Sequence, residues 1–321
     1  MITVLLPVFN GDKWISLCIE SILKQTYENF EFLIINDGSN DRSLEIIKKY
    51  STLDQRIKYI SQKNMGLTAS LNKGINIASN DWIARIDADD ISCPLRLEKQ
   101  LNKALKENLK LVGSKFAIIN EKGKILRNHQ VPINKKKLIK NLNYQKLFFP
   151  HSSAFFNKKA VSEIGNYRTF FKKSQDYDLW LRISEKYKIG CIDYIGTYIR
   201  QHNNRLSFND YGVEQKILAH CANVSHNIRI KNNLIYDPLD HDKVYAEKFK
   251  KYVQEILNKK GYINFYKKLY KLHIYIGEKN FKLIFLLMDF KFIKKFILRK
   301  ILGDDISKKI SNDWILRCSK N

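Results

Sequence analysis

Three aspartates, Asp87, Asp89 and Asp90, crowd together just after the apolar run Trp82 to Ile86. Like charges that close raise one another's cost of ionisation, and a divalent cation relieves it. On an extended backbone Asp87 and Asp89 project the same way, so two carboxylates can share one hard cation, one of them as direct ligand. Mg2+ or Mn2+ at such a place keeps several waters and takes its remaining ligands from a diphosphate. A solvated acidic turn, with Asp90 capping a helix ahead of Pro94, is the competing account of the same residues. Asp37 also closes an apolar run, in Asn36-Asp37-Gly38-Ser39. An Asx turn before Gly38 is its alternative role.

The elements that must position these acids alternate between strand-length apolar runs and stretches of helical period, the pattern of a parallel sheet covered by helices. Strands are expected at Val4 to Val8, Phe32 to Ile35, Ile57 to Ile60 and Trp82 to Ile86. Helices are expected from about Asp12 to Gln25, 42 to 50 and Leu67 to Ala78. In open α/β sheets ligands sit beyond the carboxyl ends of strands, and Asp37 and the Asp87 to Asp90 cluster both fall there. Pro94 takes a first-turn position in a helix running to about Lys106. Strand-like signals then surround a Lys122-Gly123 turn. A polar helix near 134 to 141, a strand at Ser153 to Phe156 and a helix from about Asp176 to Tyr187 follow.

Several segments, taken in order, resemble the family 2 glycosyltransferases, inverting enzymes of the GT-A fold. They are Pro7-Val8-Phe9-Asn10, Glu20-Ser21-Ile22-Leu23-Lys24-Gln25-Thr26-Tyr27, Phe32 to Ser39 with Asp41, Asn64-Met65-Gly66-Leu67, Leu71 to Ile75 with Ala78, Arg85-Ile86-Asp87-Ala88-Asp89-Asp90, and Gln175-Asp176-Tyr177-Asp178-Leu179-Trp180-Leu181-Arg182. The likeness covers residues 1 to about 205. It implies a Rossmann-like, mostly parallel sheet flanked by helices, with a donor half over about 1–110 and an acceptor half over about 111–205.

On the donor side the resemblance implies that Pro7, Val8, Phe9 and Asn10 line a nucleotide pocket and that Asp37 hydrogen-bonds the base. A carboxylate acceptor there favours an imide N–H, hence uracil or thymine over cytosine or adenine, and a UDP-sugar is the expected donor. Asn64, Gly66, Arg85, Asp87 and Ala88 are expected beside the same donor. Asp89 and Asp87 are expected on an Mn2+ or Mg2+ ion, with His202 closing over metal or diphosphate. Asp176 is implied as the base that takes the proton of an attacking sugar hydroxyl; capping its own helix is the alternative. His151, Gln175 and Trp180 are implied on the acceptor side, where a glycan or lipid-linked glycan would bind. The same likeness places the chain in bacterial surface-polysaccharide assembly, of the capsule, O-antigen or lipooligosaccharide kind.

Composition bounds the rest. The 321 residues carry a net charge of +25, which calls for anionic partners without choosing among them. Between Lys243 and Lys300 sixteen Lys or Arg stand against four Asp or Glu, so residues 206–321 read as a separate, basic, helical region. Phe281 to Met288 is apolar but too short to span a bilayer. Apolar residues mixed with lysines there fit a helix lying on an anionic membrane surface, or a tail packed on the catalytic domain. No reader motif for nucleic acid accompanies the charge, and Asn10-Gly11-Asp12-Lys13 lacks the Gly-rich phosphate grip of a nucleotidyltransferase. The five scattered cysteines read as reduced thiols, and the N-terminus has no basic n-region, so a cytoplasmic protein is expected.

Overall fold

A computed structural model of the chain describes residues 1–202, 212–231, 237–240, 242–264 and 306–318. The chain divides into two compact units, Met1–His202 and Asn203–Asn321. In the first, strands β1 (Ile2–Val8), β2 (Phe30–Asn36), β3 (Ile57–Ser61) and β4 (Trp82–Arg85) pair in parallel in the order β3-β2-β1-β4. The connections are α1 (Ile15–Leu23), α2 (Ser43–Leu53) and α3 (Leu67–Ile77). Every residue of β1 is buried, as expected of a strand covered on both faces. Ile2, Val4, Leu6 and Val8 meet Ile15, Cys18, Ile19 and Ile22 of α1 in one core cluster. Leu5 points the other way, onto α3, where a Cβ on Gly74 would lie 2.3 Å from Leu5 Cδ1.

Beyond β4 the sheet continues through β8 (Phe155–Asn157), β6 (Leu111–Ile119), β9 (Ile189–Arg200) and β5 (Ile91–Ser92), with β7 (Ile125–His129) on β6. Following the pairings, β1 to β4, β6 and β9 run one way and β5, β7 and β8 the other. The sheet is thus mostly parallel, wholly so in its first half. The remaining helices are α4 (Arg96–Lys106), α5 (Lys135–Asn143), α6 (Lys158–Glu163) and α7 (Gln175–Lys186). Pro7 is tolerated in a central strand because the β1–β4 ladder has already ended at Leu5 and Arg85. That early end opens the sheet at the point where strand order reverses, which is where α/β proteins bind ligands.

One expectation is corrected here and one element is new. Pro94 lies in the turn before α4, whose first residue is Arg96. The long strand β9 was not anticipated: Gly190 and Gly196 interrupt its apolar pattern, and its register against β6 shifts around Ser114 to Phe116. Close packing on β6 is testable. A Cβ on Gly113 would sit 2.0 Å from the Phe149 ring carbons Cγ and Cδ1. Gly113→Ala should therefore destabilise the fold by about 1–3 kcal/mol or more, read as a lower urea midpoint with unchanged slope.

In the second unit, α8 (Val213–Lys231) and α9 (Lys243–Lys259) accompany a helix at Ile306–Cys318. Trp314 packs against Tyr245, Phe249 and Tyr252. Arg229 and Asp237 form a buried pair with Ser225, and burial holds His220, beside Ser307, neutral with its pKa lowered to about 3. Phe281 to Met288, read above as a membrane-surface helix or a packed tail, lies outside the described residues. Among the described residues no helix is long and apolar enough to cross a membrane. Cys18, Cys93, Cys191 and Cys221 are buried free thiols.

Candidate functional site

The three clustered aspartates do not sit on extended backbone. The Asp90 amide donates to the Asp87 carbonyl (3.2 Å), and this turn brings one oxygen from each of Asp87, Asp89 and Asp90 within 4.8 Å of one another. Convergence comes from the turn and not from strand alternation. Their environments differ sharply. Both Asp87 oxygens meet the guanidinium of fully buried Arg85. Ser152 Oγ donates to Asp87 Oδ2 (2.7 Å) and accepts from the Asp87 amide (3.1 Å). Asp90 is buried against Ser152 and the Arg200 amide, so it caps no helix. Burial first, then the charges of Asp89 and Asp87, push its pKa well above the ordinary carboxylate range. That is the electrostatic strain a divalent cation would relieve.

Asp89 faces elsewhere. Its Oδ2 lies 2.8 Å from His202 Nε2, bringing together residues 113 apart in sequence. The Arg200 guanidinium ties this corner down by donating to the carbonyls of Asp89 (3.0 Å), Asn120 (3.2 Å) and Glu121 (2.9 Å). Asp87 is already committed to Arg85 and Ser152. Arg85 itself is 1% exposed and holds Asp87 in place. Ala88 packs on the hydrophobic core.

Asp176 is the second residue of α7. Ser174 occupies the cap position, so the alternative reading of Asp176 as the cap does not hold. Its Oδ1 accepts only the neighbouring Tyr177 amide, at 2.8 Å, among the bonds seen. Burial raises its pKa, while Arg85 lowers it and, to a smaller extent, the charge of Asp87 raises it. Two other residues of the same motif are architectural. The buried Asp178–Arg182 pair (2.7 Å) anchors α7, and Arg182 also donates to the carbonyls of Ile164 and Asn166.

Asp37 closes β2, 4% exposed. Its carboxylate accepts the amides of Met65 (2.9 Å) and Gly66 (2.8 Å) and Gln62 Nε2 (2.8 Å). Three of roughly four acceptor sites are thereby filled, so its first task is to hold the 64–66 turn against β2. It makes no Asx turn; the Asn36 side chain accepts from Ser39 instead. Gly38 (φ +74°) is required, because a Cβ there would lie 2.7 Å from the Asn64 amide. Gly66 (φ +89°) precedes α3. Asn10 is knitted to the same region, donating its amide to Ser39 Oγ and accepting the Asn40 amide. Pro7 and Val8 are buried while Phe9 is 48% exposed at the strand end.

Two residues expected on the acceptor side are buried. Trp180 is 1% exposed and packs among Phe149, His151 and Phe156; it is core. His151 is buried with Nε2 2.7 Å from the Tyr167 hydroxyl, and burial followed by the Arg85 charge depresses its pKa. Burial thus favours its neutral form. Gln175 opens α7, 7% exposed. Ser152 and Tyr167 went unnoticed in the sequence, since isolated hydroxyls carry no pattern. Ser152→Ala would remove the hydroxyl that Asp87 and Asp90 share. It should weaken Mn2+-dependent nucleotide binding about 10–100-fold, measured by titration calorimetry.

A sheet of this order, with converging acids beyond the end of β4, defines the GT-A class of glycosyltransferases. The chain belongs to glycosyltransferase family 2: the family model described as Glycosyl transferase family 2 matches residues 3–165. It is 38% identical over 184 residues to the O-antigen biosynthesis glycosyltransferase WbnJ of Escherichia coli, covering 57% of this chain and 71% of that protein. The S. aureus TarS 1-349 structure in complex with UDP-GlcNAc superposes with a TM-score of 0.58 at 15% identity, over 81% of this chain and 72% of that one. The mannosyltransferase PcManGT from Pyrobaculum calidifontis, in complex with GDP-Man and Mn2+, gives 0.56 at 13% identity, over 98% and 87%.

Proposed function

We propose that this glycosyltransferase moves a sugar from a nucleoside-diphosphate sugar, a UDP-sugar, to a hydroxyl of a glycan or lipid-linked glycan in surface-polysaccharide synthesis. The observation that carries this reading is the Asp89–His202 pair beside Asp87 and Asp90. One carboxylate and one imidazole, close enough to share an ion and backed by a repelling acidic cluster, suit a divalent cation. The nitrogen donor favours Mn2+ over Mg2+. Once bound, such an ion stabilises the departing diphosphate as a Lewis acid. Asp89 and His202 would hold it, and Arg85 with Ser152 would keep Asp87 turned toward the donor.

Asp176 accepts the acceptor hydroxyl's proton as that oxygen forms its bond to the anomeric carbon and the bond to diphosphate breaks. A raised pKa makes Asp176 a stronger base than an exposed aspartate. Attack opposite the leaving group gives inversion, and no general acid is needed. The excess of Lys and Arg between Lys243 and Lys300 supports docking on anionic lipid, where a lipid-linked acceptor resides. The test is binding and hydrolysis of UDP-, dTDP- and GDP-sugars with and without Mn2+ or Mg2+. One nucleotide-sugar should bind only with metal; a panel in which nothing binds, or binding ignores metal, defeats the reading.

A further inference from the structure

We propose that Trp14, outside every family motif quoted above, is a positioning residue of the cation site, holding the His202 ring edge toward Asp89. This rests on the assignment of Asp89 and His202 to the metal. A metal-ligating histidine normally fixes its ring by donating the second ring nitrogen to a carboxylate or carbonyl. His202 does not: Nδ1 is buried and has no hydrogen-bond partner among the described residues. Packing must therefore set the ring's orientation. The Trp14 indole lies against the imidazole, with ring centroids 4.3 Å apart and a 40° tilt.

Trp14 is itself held on several sides. Its amide donates to the Gly11 carbonyl (3.1 Å), and the Arg200 guanidinium stands 5.7 Å over its ring. Lys13 Nζ lies 4.4 Å from the same ring while pairing with Glu121. Because Arg200 also grips the Asp89 carbonyl, the indole links the two groups that must meet at the ion. The core of α1 is made by Ile15, Cys18, Ile19 and Ile22, so half-buried Trp14 is not needed to bury it. Its place against His202 needs an aromatic face and no particular polar atom.

The experiment measures Mn2+ affinity in the presence of UDP by electron paramagnetic resonance of the free ion, on the full chain. Wild type is compared with Trp14→Ala, Trp14→Phe, His202→Ala and the Trp14→Ala/His202→Ala double variant. Expected are an about 10–100-fold weakening for Trp14→Ala, near wild-type affinity for Trp14→Phe, and no further loss from Trp14→Ala once His202 is gone. Unchanged affinity in Trp14→Ala overturns the proposal. So does an equal loss with and without His202, which would mark a general structural effect. Rescue by Trp14→Phe separates a lost ring contact from misfolding. Wild type that binds no Mn2+ would instead remove the cation-site reading on which this one stands.

Discussion

Asp89→Ala is expected to abolish metal-dependent nucleotide-sugar binding and to lower sugar transfer by about 10³-fold or more, because several kcal/mol of leaving-group stabilisation disappears with the ion. Asp89 is the member of the cluster whose carboxylate meets His202, whereas Asp87 is gripped by Arg85 and Asp90 is sealed behind Ser152 and Arg200. The fold should survive. Asp89 is one of the charges that raise the pKa of Asp90, so its removal relieves repulsion, and the melting temperature without metal should hold or rise. Wild type should melt higher when Mn2+ and UDP are added, since ligands that bind only the native state stabilise it. The variant should show no such shift. Metal-dependent binding retained within threefold would sink the assignment.

Asp176→Asn should keep donor and metal binding while transfer falls about 10²–10⁴-fold, the range for a lost general base. Asparagine preserves the shape at the start of α7 but takes no proton. The pH dependence follows from the raised pKa of Asp176. The base works only when ionised, so wild-type kcat should fall as pH drops through an inflection above the 3.8 of an ordinary aspartate. That inflection should vanish in the variant. Stability moves in the opposite sense. A carboxyl whose folded pKa lies above its unfolded one favours the fold when protonated, and that contribution is lost as pH rises through the folded pKa. Neutral asparagine should therefore leave the neutral-pH melting temperature unchanged or higher. A variant with weakened UDP binding, or with kcat intact, would show that Asp176 is not the base.

The amino-acid sequence by itself determined the alternation of strands and helices in the first half, because buried parallel strands are continuous apolar runs and their helices carry a 3.6-residue period. It also determined that acids gather where Asp37 and Asp87 end their strands, since polar residues enter only where a buried strand leaves the sheet. Contacts between residues far apart were decided by tertiary structure alone. Only the turn at Asp87 to Asp90 and the packing of His202 across the end of β9 single out Asp89. The sequence pairs Asp87 with Asp89 without ranking them; burial and partners do. The same holds for His151 and Trp180, expected on the acceptor side by resemblance, whose burial only the folded chain reveals. Ser152 and Trp14 are the converse, ordinary residue types given their roles by neighbours more than sixty residues away. Side-chain desolvation and hydrogen bonding depend on what the folded chain brings alongside, and no local spacing encodes that.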